Sequence, residues 1–242
     1  MKKLIILAIV FSLILLLSLP VSANTDNPGN SDNENRPTTI VEYGKGKDAG
    51  FVKITHIHYA KSINNARPAK TDACYKVGKF KWTNQIQYSI QESMSPALSE
   101  TIATSASTWD QATSRTLFNG VFPTSGKTWG DRDYVNLVTY GDYPNSGVIA
   151  VTRTWYSLLT RTYVESDILF DTDFGWSTDQ TLNTMDLQNI ATHEIGHTLG
   201  LSDLYTTSCK PVTMYGYSWY GDIEKRTLET PDIIGLQKLY GV

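Results

Sequence analysis

The 242-residue sequence predicts an α+β domain cut by a cleft. Three observations lead there. Runs in which apolar and polar residues alternate fall before and after one long stripe of helical spacing, so strands and helices do not simply take turns. A second helical stretch, late in the chain, carries two histidines one turn apart, His193 and His197. An irregular segment then separates it from a terminal helix.

The elements follow in chain order. Lys2 and Lys3 precede the apolar run Leu4 to Leu17, and small residues stand at Val21-Ser22-Ala23. This reads as a secretory signal peptide, residues 1–23, because the run is short for the ~20 residues of a membrane span. Residues 24–73 are expected as a linker. Their first part, 24–40, is rich in Asn, Asp, Pro, Gly and Ser, the composition of disorder. Within 41–73, Phe51 to Tyr59 alternates like a strand and Lys61 to Lys70 is polar and basic. A pro-segment, a stalk or an N-terminal arm packed on the domain all fit. His56 and His58 fall on one side of that strand and could hold a metal. With no third donor evident, they read as surface histidines.

The folded domain is expected over 74–242. Ile86, Tyr88 and Ile90 alternate as in a half-buried strand. Ser95-Pro96 is a capped helix start, and Leu98, Ile102, Ala106 and Trp109 continue it as one apolar stripe. Val135 to Thr139, Val148 to Val151 and Asp167 to Phe170 read as further strands. The histidine-bearing helix follows, with Leu187, Ile190, Ile195 and Leu199 to bury. Thr230-Pro231-Asp232 opens the last helix.

The second helix carries the chemistry. In His193-Glu194-Ile195-Gly196-His197 the two imidazoles share one helix face and can grip one Zn²⁺. Glu194 lies about 100° round the helix, free to take the proton of a water at the open side of the ion. Gly200 can adopt a positive φ and end the helix, so that the returning chain offers Asp203 as third ligand. Three protein ligands and one open position mark a catalytic zinc site.

These residues resemble the metzincin zinc peptidases, with Asp203 where the usual pattern has a third His, as in the snapalysin-like members. The resemblance to the matrixin branch covers about 75–242. It is carried by Lys81-Trp82 before the Ile86 strand, by Asp167 to Trp176, by Asp186-Leu187, and by Asp232 to Gly241. It implies a mixed twisted sheet, two long helices above the cleft and a small C-terminal subdomain. It implies that Met214 is the Met-turn residue beneath the ion, that calcium can sit at Asp171 and Asp173 (a solvated acidic turn fits equally), and that a substrate strand adds beside Val148 to Val151. Leu169 stands where matrixins place a structural-zinc His, so one zinc is expected. Gly216 stands where matrixins often carry Pro, which leaves the adjoining pocket unread.

Cys74 and Cys209 are the two cysteines. Export favours a disulfide between them. The rival is a cysteine switch, with Cys74 plugging the zinc, although the usual Pro-Arg-Cys-Gly context is missing. The net charge of −3 gives no support for nucleic-acid binding. The expectation is a secreted, monomeric zinc endopeptidase acting on proteins or peptides, with no stable membrane association after signal cleavage. The alternative is an idle binding protein on the metzincin fold.

Overall fold

The structure is a computed structural model that describes residues 38–60, 73–92 and 94–242. The expected signal peptide, most of the 24–40 linker and the basic stretch after Ala60 lie outside the described residues. Among the described residues no helix is long and apolar enough to cross a membrane.

In chain order the elements are β1 (Thr39–Tyr43), β2 (Phe51–Ala60), β3 (Ile86–Gln91), α1 (Pro96–Asp110), β4 (Phe118–Thr124), β5 (Asn136–Gly141), β6 (Val148–Ser157), β7 (Thr162–Asp171), β8 (Trp176–Ser177), β9 (Met185–Asp186), α2 (Leu187–Thr198), β10 (Tyr217–Ser218) and α3 (Thr230–Tyr240). This is the α+β class that the sequence predicts. The main sheet is mixed, with strand order β1-β2-β6-β7-β5-β3-β4 and β10 beside β2. β3 pairs in parallel with both β4 and β5, and β6 runs antiparallel to β7.

The physical reasons are local. Ser95 accepts a hydrogen bond from the Ala97 amide and caps α1, with Pro96 at the first helical position. The buried face of α1 is Leu98, Ile102, Ala106 and Trp109, the expected stripe. Trp109 donates its indole N–H to the Thr192 carbonyl at 2.8 Å, and Trp82 donates to Thr198 at 2.8 Å. These two bonds tie α1 and the start of the domain to α2. The main core joins both helices, Leu236 of α3 and sheet residues including Ile86, Tyr88, Val138, Ile149 and Ile168.

β1 and β2 pair into the main sheet, as an N-terminal arm packed on the domain would. Tyr59 and Ile57 pack with Val148 and Val151 on one side, and Val52 enters the main core. Burial of that apolar set outweighs the polar composition of the flanks. A disulfide joins Cys74 to Cys209. The Cys74 sulfur is therefore bonded, and the cysteine-switch reading falls.

Candidate metal centre

α2 is built to deliver its two histidines. Asp186 caps its start by accepting from the Asn189 amide at 2.9 Å. Its end is a Schellman motif: Leu201 N–H reaches the Gly196 carbonyl at 3.0 Å and Gly200 N–H the His197 carbonyl at 3.0 Å, with Gly200 at φ 95°. That reversal brings the Leu201 carbonyl to within 2.9 Å of His197 Nδ1. His193 Nδ1 meets the Thr213 carbonyl at 2.7 Å. A carbonyl can only accept, so each Nδ1 donates and each Nε2 is left with its lone pair.

Both lone pairs converge on Asp203. His193 Nε2 is 3.1 Å and His197 Nε2 3.3 Å from Asp203 Oδ1. Tetrahedral ligands at zinc bond lengths stand about 3.3 Å apart, so the spacing fits one ion. His193 Nε2 and both Asp203 carboxylate oxygens are buried without a hydrogen-bond partner. Buried polar atoms are seldom left so, and a cation among them answers all three. Burial, with the Lys225 charge, drives His193 down to about 4, so its ring is neutral. Burial would raise Asp203, but the charge of His197 and contacts with both rings hold it well below the usual carboxylate range. Burial would lower His197 too, but Asp203, Glu194 and the Leu201 carbonyl together raise it. The carboxylate is thus ionised and ready to ligate.

Glu194 is fully buried beside this group, and burial pushes it up to about 7 against the opposing pull of His197. Thr152 of β6 donates its hydroxyl to Glu194 Oε2 at 2.6 Å. Met214 lies beneath: a Cβ added to Gly196 would stand 2.3 Å from its Sδ, so helix and thioether touch where only glycine fits. Asp232 of α3 fixes that turn, accepting from the amides of Thr213 at 2.9 Å and Met214 at 3.2 Å. Gly216 is similarly forced, because a Cβ there would come within 2.3 Å of the Tyr205 ring.

Three features escaped the sequence reading. His56 and His58 are buried, not on the surface. The His56 ring stacks on His197 at 4.1 Å, and His58 lies 4.2 Å from His193. Their signal was only two histidines on one strand face; the donors they meet are more than a hundred residues away. Lys225, also buried, donates to the Tyr215 carbonyl and the Ser218 hydroxyl. It lines a cavity of about 280 Å³ with Asn189, Tyr215, Tyr217, Trp219 and Asp222. Asp142, just after β5, joins Asp171 and Asp173, at and just after the end of β7, in a carboxylate cluster.

The Matrixin family model matches residues 145–241. Stromelysin-3 of Homo sapiens is 28% identical over 179 residues, 74% of this chain and 33% of that protein. Stromelysin-3 of Mus musculus is 26% identical over 179 residues, 74% of this chain and 32% of its own length. Interstitial collagenase of Oryctolagus cuniculus is 35% identical over 78 residues, 32% of this chain and 15% of that protein. The chain spans about a third of the length of the stromelysin-3 relatives it matches. The matched segment holds both α2 histidines, Glu194, Asp203 and Met214, so the likeness to the matrixins falls on the candidate metal centre itself.

Proposed function

We propose that this protein is a secreted zinc-dependent endopeptidase. The observation that carries the reading is the convergence of His193, His197 and Asp203 on one point, with the Glu194 carboxylate beside it. In this reading those three side chains hold one zinc, which supplies Lewis acidity to the scissile carbonyl and to a water. Glu194 takes the water's proton and hands it to the leaving amine. Its upward shift toward neutrality suits a group that must both accept and return a proton. In this reading a peptide would add as a strand along β6 at Val148 to Val151, the side on which β2 is now paired. Export rests on the leader-like composition of residues 1–23. Calcium at Asp142, Asp171 and Asp173 rests on a cluster of three carboxylates, the oxygen donors that ion prefers.

The test is casein cleavage by zinc-loaded protein, both intact and after brief trypsin treatment. Trypsin has Lys61, Arg67 and Lys70 to cut between β2 and Cys74. Cleavage is expected to stop with a chelator and return with zinc. Glu194→Gln is expected to retain zinc and lose about 10²-fold or more in kcat/KM. If every zinc-loaded form leaves casein intact, the peptidase reading fails.

A further inference from the structure

The place beside β6 where a peptide would lie is filled by the chain itself. Phe51 to Tyr59 of β2 pair antiparallel with Ser157 to Val148 of β6. On its other side, Tyr59 and Ala60 pair in parallel with Tyr217 and Ser218 of β10. β2 therefore lies between the sheet edge and the segment that follows Met214. Those are the two walls a bound peptide would use, and their backbone hydrogen bonds are already taken.

The side chains of β2 reach further than its backbone. Alternation along the strand sends Ile57 and Tyr59 to one face and His56 and His58 to the other. His56 shares a set of donor atoms, all within 4.8 Å, with His197 and Asp203; His58 shares another with His193 and Glu194. Both rings are buried, at 6% and 1% exposure. His56 Nδ1 and His58 Nε2 have no hydrogen-bond partner among the described residues, as is true of His193 Nε2 and both Asp203 oxygens. Five buried polar atoms without a protein partner are what a metal with extra ligands would satisfy, and what ordinary core packing avoids.

We propose that β2 is a built-in inhibitor of this centre: it holds the substrate's place on β6, and its histidines, His56 and His58, add imidazole ligands to the ion held by His193, His197 and Asp203. The proposal rests on the peptidase reading only for what is inhibited. In the same arrangement such a strand would resist being cut. His58 Nδ1 lies 3.1 Å from Glu194 Oε1, and Thr152 occupies Oε2. Both oxygens of the Glu194 carboxylate are engaged, and on a bound ion the imidazoles would stand where a water is needed. The disulfide removes the thiol alternative, because Cys74 and Cys209 are bonded to each other.

The experiment is zinc X-ray absorption on the full chain. The protein contains four histidines in all, so the imidazole count is direct. The wild type is expected to show more than two imidazoles per zinc, and His56→Ala/His58→Ala two. A second readout uses the cobalt-substituted protein and acetohydroxamic acid, a small metal-binding probe. The visible spectrum of the double variant is expected to shift at probe concentrations at least tenfold lower than those needed by wild type. Two imidazoles in wild type overturn the proposal, whether or not the variant folds. So does equal access of the probe to both proteins. Neither readout needs turnover: a protein that cleaves no peptide yet shows the extra imidazoles would sink the peptidase reading and leave the strand's ligation standing.

Discussion

At the scale of single residues, the donors on α2 were legible because one helix turn fixes their relation. His193, Glu194 and His197 needed only the 3.6-residue period to be placed. Asp203 needed one more inference, that Gly200 reverses the chain, and its φ of 95° shows the reversal. Gly196 was not legible as a requirement. Nothing in the local pattern says that a thioether from a distant turn will rest on its α-carbon. Replacing it by alanine tests how tight that contact is. In an unencumbered helix, Ala is favoured over Gly by about 1 kcal/mol. Here the new Cβ would stand 2.3 Å from Met214 Sδ and 2.9 Å from the Trp109 ring, so the overlap should outweigh the gain. Gly196→Ala is expected to destabilise by roughly 1–3 kcal/mol in urea unfolding. Met214→Ala combined with it should cost less than the two separate losses added, because the second change removes the obstacle to the first. Strict additivity would mean that the two side chains do not share that space.

Among elements, those with strong periodicity were read correctly and those shaped by distant partners were not. α1 follows from Ser95-Pro96 and its stripe. β4 was missed because Phe118-Asn119-Gly120-Val121-Phe122-Pro123-Thr124 contains a glycine at φ 88° and a proline. Both are tolerated because β4 is the last strand of the sheet order, where the proline nitrogen owes no hydrogen bond to a neighbour. β2 was seen as a strand, but its partners were not, since pairing with β6 joins segments a hundred residues apart. α3 shows the reverse case. Its start was plain from Thr230-Pro231-Asp232, but its task was hidden. Asp232 both completes a capping box with Glu229 and accepts from the Thr213 and Met214 amides. Asp232→Ala leaves those amides buried without acceptors, at a cost of roughly 1–3 kcal/mol for each. Because the Thr213 carbonyl also orients His193, the same variant should lose zinc faster to a chelator. A variant that unfolds earlier yet retains zinc as firmly as wild type would confine Asp232 to a capping role.

For the whole molecule, the sheet sets a pH dependence that lies apart from the metal centre. β7 is buried along most of its length, and it carries Glu165 and Asp167 into that interior. Burial pushes Glu165 up to about 8 and Asp167 up to about 7, against amide hydrogen bonds from Tyr134 and from Leu137 and Gly130 that pull the other way. In the unfolded chain both carboxyls titrate near ordinary values, about 4. Between those values and 7 to 8 the folded protein therefore binds more protons than the unfolded one. Stability falls with rising pH wherever the folded state holds the excess. The contribution of this pair is complete below about pH 4 and is lost as pH rises through 7 and 8. Metal binding has the opposite trend, since its ligands must shed protons. A raw profile of Tm against pH mixes the two, and the informative quantity is a difference between proteins measured at one zinc concentration. Glu165→Gln keeps an oxygen for the Tyr134 amide and cannot ionise. Its Tm relative to wild type should rise steadily from pH 5 to pH 8. A difference that stays flat across that range would show that Glu165 keeps an ordinary pKa in the folded protein, and that the sheet interior is more hydrated around β7 than its burial implies.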